Sequence, residues 1–264
     1  MDERLDGASS ALQGGSRSAG FTRTAKDSAD PVLEGAWRAV VSQGSYLMTP
    51  DRLSRCLGVA GEAWGRFAAH WGDLVPDAYA AQQGTRRLRR YGHFCLTRRG
   101  GITSMPHVAF VQPEDSNPLY VATDRHFEPL TEAFMAEPML TSLIRMLGRV
   151  AARLEDADEW SVKVHPFRVV ARAGQQGEPA PEGCHRDGVT LVTSLLINRE
   201  NALGGTSTVY DTEGEELMST TLSEPGSLLL SDDRSTLHGV SSIRPAVTDA
   251  PAVRDVLVTT LTAR

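Results

Sequence analysis

Cysteine is scarce in this chain: Cys56, Cys95 and Cys184 are the only three among 264 residues, an odd number at wide, irregular spacing. Such spacing fits neither a disulfide framework nor a zinc knuckle, and it suits a reducing compartment. Positive charge is not in excess either. The 27 Lys and Arg are outnumbered by 33 Asp and Glu, for a formal net charge of -6, whereas a nucleic-acid footprint needs clustered surplus cations. No apolar run approaches the ~20 residues of a membrane helix. The start, Met1-Asp-Glu-Arg-Leu-Asp6, lacks the apolar stretch of a secretory signal. These absences lead us to expect a soluble, cytoplasmic protein, monomer or homodimer, that engages a small molecule rather than nucleic acid or membrane.

Residues 1–30 are rich in Gly, Ser, Ala and charge, with Leu5, Leu12 and Phe21 as the only sizeable apolar side chains. They cannot bury enough surface to offset ordering entropy, so a flexible arm is expected. A single domain is expected over 31–264, with 31–155 largely helical support. Pro31 suits a first helical turn, and Leu33, Trp37, Val40 and Val41 make one apolar face. After Pro50-Asp51, a second amphipathic stretch runs from Leu53 to Ala68. Phe127 to Leu154 reads as a long helix interrupted near Pro138, with Phe134, Met139, Leu143, Ile144, Leu147 and Val150 on its inner face.

Strand signals begin with Tyr91 to Thr97 and dominate from 156 onward. After Trp160 the apolar period falls to two, with a slip at Pro166 that suggests an edge or a bulge. Val189 to Asn198 is almost wholly apolar, as a strand buried on both faces would be. Thr206 to Asp211 and Glu216 to Leu222 form a hairpin around Thr212-Glu-Gly214, Ser227 to Leu230 is a short strand, and Val253 to Thr262 is the last. Many short strands with Gly and Pro turns predict a mostly β, α+β fold. Its core over 156–264 is expected to be a jelly roll, or double-stranded β-helix of cupin type, with the N-terminal and mid-chain helices packed on it.

The chemistry-bearing stretch is Glu182-Gly-Cys-His-Arg-Asp-Gly188. His185 and Asp187 can aim an imidazole and a carboxylate at one point from a loop entering a strand. His238, 51 positions after Asp187 and just beyond a predicted strand, would complete a two-His, one-carboxylate set. That set leaves open positions on a divalent metal and marks non-haem Fe(II) oxygenases. An isolated HxD arises often by chance, so the second His and a basic residue on the final strand carry weight. Arg254 lies 16 residues after His238 on an apolar strand, where a charge must be paired or solvated. Its partner is either a structural carboxylate such as Asp255 or the distal carboxylate of a bound dicarboxylic acid. Arg244, in a loop before Pro245, competes for the same role. Cys184 reads as a packed thiol rather than a ligand.

The run from His185 to Arg254 resembles the Fe(II)- and 2-oxoglutarate-dependent dioxygenases, and among them the bacterial L-isoleucine 4-hydroxylase-like subfamily that acts on free amino acids. The matching pieces are Val164-His-Pro-Phe-Arg168, His185-Arg-Asp187, Leu196-Ile-Asn198, Gly204-Gly205, the turn from Leu222 to Pro225, His238-Gly-Val240 and Val253-Arg-Asp255, with weaker likeness at Arg125-His-Phe127 and Arg89-Arg-Tyr91. The resemblance implies Fe(II) held by His185, Asp187 and His238, with O2 and 2-oxoglutarate as co-substrates. It also implies that Arg254 anchors the far carboxylate, with Thr193 or Ser207 adding a hydroxyl. The implied reaction is hydroxylation of an unactivated C–H of a free aliphatic L-amino acid, releasing succinate and CO2. Desaturation or cyclisation with the same cofactors stays open, as do a non-oxidative metal-dependent hydrolase or lyase and a cupin-like binding protein. Candidate substrate residues are His165, Arg168, Arg125, His126, Arg90 and Tyr91. The cluster from Arg86 to Arg90 is read mainly as solvated surface, the alternative being one guanidinium turned inward toward a carboxylate.

Overall fold

The computed structural model describes residues 30–82, 84–110 and 125–264. The expected arm lies outside them except for Asp30, whose side chain accepts from Val32 N at 3.0 Å and caps the first helix. Helix α1 (Pro31–Gln43) has Pro at its first turn and ends at Gly44 in the left-handed region. Strand β1 (Ser45–Met48), α2 (Pro50–Leu57), α3 (Gly61–Ala69), β2 (Val75–Pro76), α4 (Ala78–Gln82), β3 (Arg86–Arg89), β4 (Gly92–Thr97) and β5 (Ile102–Ser104) follow. Then come α5 (Glu132–Met135), α6 (Pro138–Leu154) and the long strand β6 (Glu159–Ala171). The rest is β: β7 (Leu191–Glu200), β8 (Ala202–Gly204), β9 (Thr206–Asp211), β10 (Glu216–Thr221), β11 (Leu228–Asp232), β12 (Thr236–Val240), β13 (Ile243–Pro245) and β14 (Ala252–Ala263).

These strands form a nine-stranded sheet ordered β1-β11-β7-β14-β6-β3-β2, with β4 and β5 attached through β6. Beside it stand a three-stranded sheet, β10-β9-β12, and a pair, β13-β8. All of the pairings are antiparallel. The architecture is the expected jelly-roll core with helices packed on it. The stretch 31–155 does more than support it, because it also contributes β1 to β5.

Two apolar layers hold the stack. On one face of the large sheet, Leu140, Leu143, Leu147 and Val150 of α6 pack with Val162, Val164, Leu195, Leu257 and Leu261 of the strands. Between the sheets, Leu196, Val209, Leu229 and Val256 close a smaller core. Period-two alternation on β6, β7 and β14 gives each strand one helix-facing and one inward-facing row. No helix among the described residues is long and apolar enough to cross a membrane.

Pro166 departs from expectation. It lies at neither an edge nor a bulge: β6 runs between β14 on one side and two successive partners on the other. Residues 159–164 pair with β4 and 167–170 with β3, so the proline falls where the partner changes. The Pro166 carbonyl accepts from Arg90 N on that side, and the missing N–H faces the same junction, where no ladder bond is broken. The pleat therefore continues without a slip, and His165 and Arg168 point to opposite faces. Helix also stops short of its expected start, since α5 begins at Glu132 and Phe127 packs instead with Tyr91 and Phe110.

Arg168 is thereby committed to the fold. Its Nε and Nη2 donate to Asp255 Oδ1 and Oδ2, both at 2.7 Å, across the β6–β14 pairing. Burial pushes the Asp255 carboxyl up despite the opposing pull of Arg168, while the pairing raises the guanidinium. Replacing Arg168 with Met leaves that buried carboxylate with the Asn198 side chain but no counter-charge, which should cost about 3 kcal/mol of unfolding free energy in urea at neutral pH. The deficit should shrink as pH falls through the raised Asp255 pKa, because the carboxyl then protonates. Undiminished stability would show that the pair carries no net load.

Candidate active site

The loop from Gly183 to Gly188 is tied at both ends. Both glycines adopt positive φ (77° and 72°), which lets the chain turn sharply on either side of His185 and Asp187. His185 forms an isolated antiparallel bridge with His238, with N–H to O=C bonds of 2.9 Å in each direction. The two imidazoles consequently face each other with centroids 4.5 Å apart. His238 sits within β12 rather than beyond a strand end, as the sequence had suggested. His185 Nδ1 engages Gly183 O at 3.0 Å, which leaves Nε2 for the shared space. Asp187 lies 3.9 Å from His185 Nε2 through Oδ1 and 3.6 Å from His238 Nε2 through Oδ2. One ligand atom from each of the three residues falls within 4.8 Å of the others, close enough for one ion.

Asp233 supports this set from beneath. Fully buried, it accepts from Asp187 N at 3.2 Å and Val189 N at 2.9 Å, and its Oδ1 lies 3.6 Å from His238 Nδ1. Burial raises its carboxyl to about 6, against the pull of those backbone donors. Burial also lowers the His238 pKa, with Asp187 opposing. No hydrogen bond forms across the 3.6 Å between Asp233 and His238, and His238 Nδ1 has no partner among the described residues, so Asp233 acts on the backbone of the loop rather than on the ring. Nothing in the sequence singled out Asp233; the signal was its place five residues before His238, in the connection between β11 and β12.

Beside the metal-ligand set opens a cavity of about 540 Å³. His185, Asp187 and His238 line it, with Val189, Val192, Val258 and Phe110 as apolar wall. The inward row of β6 supplies Lys163, His165 and Phe167, and that of β3 supplies Arg87 and Arg89. Arg125, Glu182, Ser194, Thr260 and Thr262 complete the polar lining among the described residues. His165 and Arg125 thus reach the cavity as anticipated. Lys163 and Glu182 were not named from the sequence. For the cluster from Arg86 to Arg90 the inward alternative holds at two positions, Arg87 and Arg89, whose i, i+2 spacing places both on one face of β3.

The other candidates lie elsewhere. Arg90 donates to Asp73 O and Pro129 O, both at 2.7 Å, and braces loops. Tyr91 is buried behind His165 with rings stacked at 5.0 Å, and burial lifts its phenol to about 12. His126 is exposed, its backbone N–H bound to Tyr79 Oη. Arg168 faces away, bound to Asp255. Thr193 turns from the inward row held by Val192 and Ser194, and its hydroxyl donates to Thr259 O at 3.1 Å.

Arg254 shares the inward row of β14 with Val256 and Val258 and is 3% exposed. Its Nε and Nη2 are buried without a hydrogen-bond partner among the described residues, as is Ser207 Oγ. Burial, and then the charge of Arg199, pull its pKa down to about 10, yet a guanidinium stays charged at neutral pH. Space around it is tight, since a Cβ on Gly205 would lie 3.2 Å from both Arg254 Cδ and Arg199 Nη1. A buried cation with two idle donors fits an incoming carboxylate. Arg244, by contrast, is exposed on β13.

Comparison with known proteins agrees with this geometry. The family model described as 2OG-Fe dioxygenase matches residues 68–260. A bsmA homologue from Methylobium petroleophilum PM1 is 32% identical, with TM-score 0.81, over 88% of this chain and 93% of that one. IDO from Bacillus thuringiensis (18% identical, TM-score 0.71, covering 88% and 96%) shares the fold. So does the Fe(II)/α-ketoglutarate-dependent dioxygenase TqaL (15%, TM-score 0.68, covering 88% and 87%). No curated protein matches the chain. With a family match across most of its length and a His–Asp–His set gathered on one cavity, the chain belongs to the 2OG-Fe dioxygenases, oxidoreductases that use Fe(II), 2-oxoglutarate and O2.

Proposed function

We propose that this enzyme hydroxylates an unactivated C–H bond of a free, aliphatic L-amino acid, consuming 2-oxoglutarate and O2 and releasing succinate and CO2. The observation that carries the reading is the composition of the cavity of about 540 Å³ beside the His–Asp–His set. It combines guanidinium groups, a carboxylate and an apolar wall of Val189, Val192, Val258 and Phe110. Charges of both signs suit a zwitterion, and the valines suit an alkyl side chain. The resemblance of the sequence to the L-isoleucine 4-hydroxylase-like subfamily points the same way.

In this reading His185 Nε2, Asp187 and His238 Nε2 hold the iron. Arg254, whose Nε and Nη2 have no partner among the described residues, holds the far carboxylate of 2-oxoglutarate, with the equally unpartnered Ser207 hydroxyl as a further donor. The bound metal and co-substrate supply the power to oxidise a C–H bond. The protein's own contribution is positional. The β-bridge fixes the spacing of the imidazoles, Asp233 holds the ligand loop, and the cavity wall keeps the substrate carbon in reach while excluding water.

Incubation with Fe(II), 2-oxoglutarate and each of the twenty amino acids should yield succinate together with a product heavier by one oxygen atom for an aliphatic member. Absence of substrate-linked succinate across the set would sink the amino-acid reading. Asp187→Ala should abolish this turnover and also the rise in melting temperature that Fe(II) gives the wild type under nitrogen; retention of both would mean the carboxylate ligand is misassigned. Arg254→Ala should raise the 2-oxoglutarate KM on the order of 100-fold with iron binding unaltered. An unchanged KM would transfer the anchor to Arg244.

A further inference from the structure

Within the cavity the positive groups are unevenly matched. Asp77, 2% exposed, accepts from Arg87 Nε at 2.9 Å and lies 2.9 Å from Arg87 Nη2 but 3.8 Å from Arg89 Nη1. A single buried carboxylate thus serves two guanidinium groups and is largely taken by one. Arg89, 3% exposed, has Nη2 2.7 Å from His165 Nδ1 and an Nε with no partner among the described residues. Its guanidinium carbon lies 3.4 Å from the ring centroid of Phe127 and 4.5 Å from that of Phe167, so the group is clamped between aromatic faces. His165 adds no compensating charge. Burial, then Arg89, holds it well below the usual imidazole range, which leaves it neutral and able to accept from Arg89.

Around Arg89, Arg87, Arg125 and Lys163 bring further positive groups to the cavity lining, with Glu182 and Asp187 as its carboxylates among the described residues. A single carboxylate matches the planar fork of one guanidinium. We propose that Arg89 is the anchor for a carboxylate of the primary substrate, its guanidinium held in place by Phe127, Phe167 and His165. This rests on the cavity being the substrate's, as proposed above, and names the group by which that substrate is recognised. Buried guanidinium–carboxylate pairs are short, directional and strong in a dry site, and preorganisation by flanking rings lowers the entropy lost on binding.

The test compares acids with their own primary amides on the full chain loaded with Fe(II) and 2-oxoglutarate under nitrogen, reading dissociation constants. The probes are the aliphatic L-amino acids, the corresponding amino amides, and alkanoic acids with their amides. In the wild type the best acid should bind on the order of 50-fold more tightly than its amide. In Arg89→Gln that ratio should fall to about one, while the affinity for 2-oxoglutarate stays as in the wild type. If Arg89→Gln does not fold, Arg89→Lys, which keeps charge but loses the planar fork, is read instead and should lower the ratio about tenfold. No preference for any acid over its amide in the wild type, or a preference that survives the substitution, overturns the anchor. Alkanoic acids that show the Arg89-dependent preference while no amino acid is oxidised would leave the anchor standing and remove the amino-acid reading. Oxidation of an amino acid and its amide with equal efficiency would do the reverse.

Discussion

Everything at the metal face depends on two backbone hydrogen bonds, His185 N to His238 O and His238 N to His185 O. A pair of residues that exchange both bonds is held at a fixed separation with side chains on the same side. That constraint sets the imidazole spacing before any ion arrives, and it does so with groups no side-chain substitution removes. The rest of the local architecture protects the bridge. Two positive-φ glycines deliver the loop to it, and Asp233 ties down the backbone of Asp187 and Val189 from the buried side.

The site also joins two mechanical units. His185 and Asp187 sit on the loop leading into β7 of the large sheet, whereas His238 belongs to β12 of the three-stranded sheet. Only a small apolar core, built around Leu196, Val209, Leu229 and Val256, lies between them. The bridge and the ligand set therefore add a second fastening where hydrophobic contact is modest.

Much of this was legible in the sequence. The His185, Asp187, His238 set and Arg254 stand out because metal and carboxylate chemistry demands particular residue types, and the strands that carry them alternate cleanly. The fold class followed from short strands and turn residues. What stayed hidden depended on pairing partners. Pro166 looked like a defect because sequence cannot show that β6 changes neighbours there, and the phantom slip made both His165 and Arg168 candidates for the pocket. Arg87 and Arg89 looked like solvent-facing charge because arginine clusters usually are, and their burial follows from Asp77 and a ring of aromatics brought in from distant segments. Asp233 was invisible for the same reason, since its role exists only once the connection from β11 to β12 packs beneath the loop of His185 and Asp187.

The change of partner at Pro166 has a further reach. Because β6 is shared in series, β4 with β5 lies along one half of it and β3 with β2 along the other, the two pairs linked in the chain by Arg90 and Tyr91. Arg87 and Arg89 ride on β3, whereas the loop carrying His185 and Asp187 and the strand carrying His238 belong to neither pair. A change of side chain on that short strand therefore reshapes one wall of the cavity without touching the elements that carry His185, Asp187 and His238.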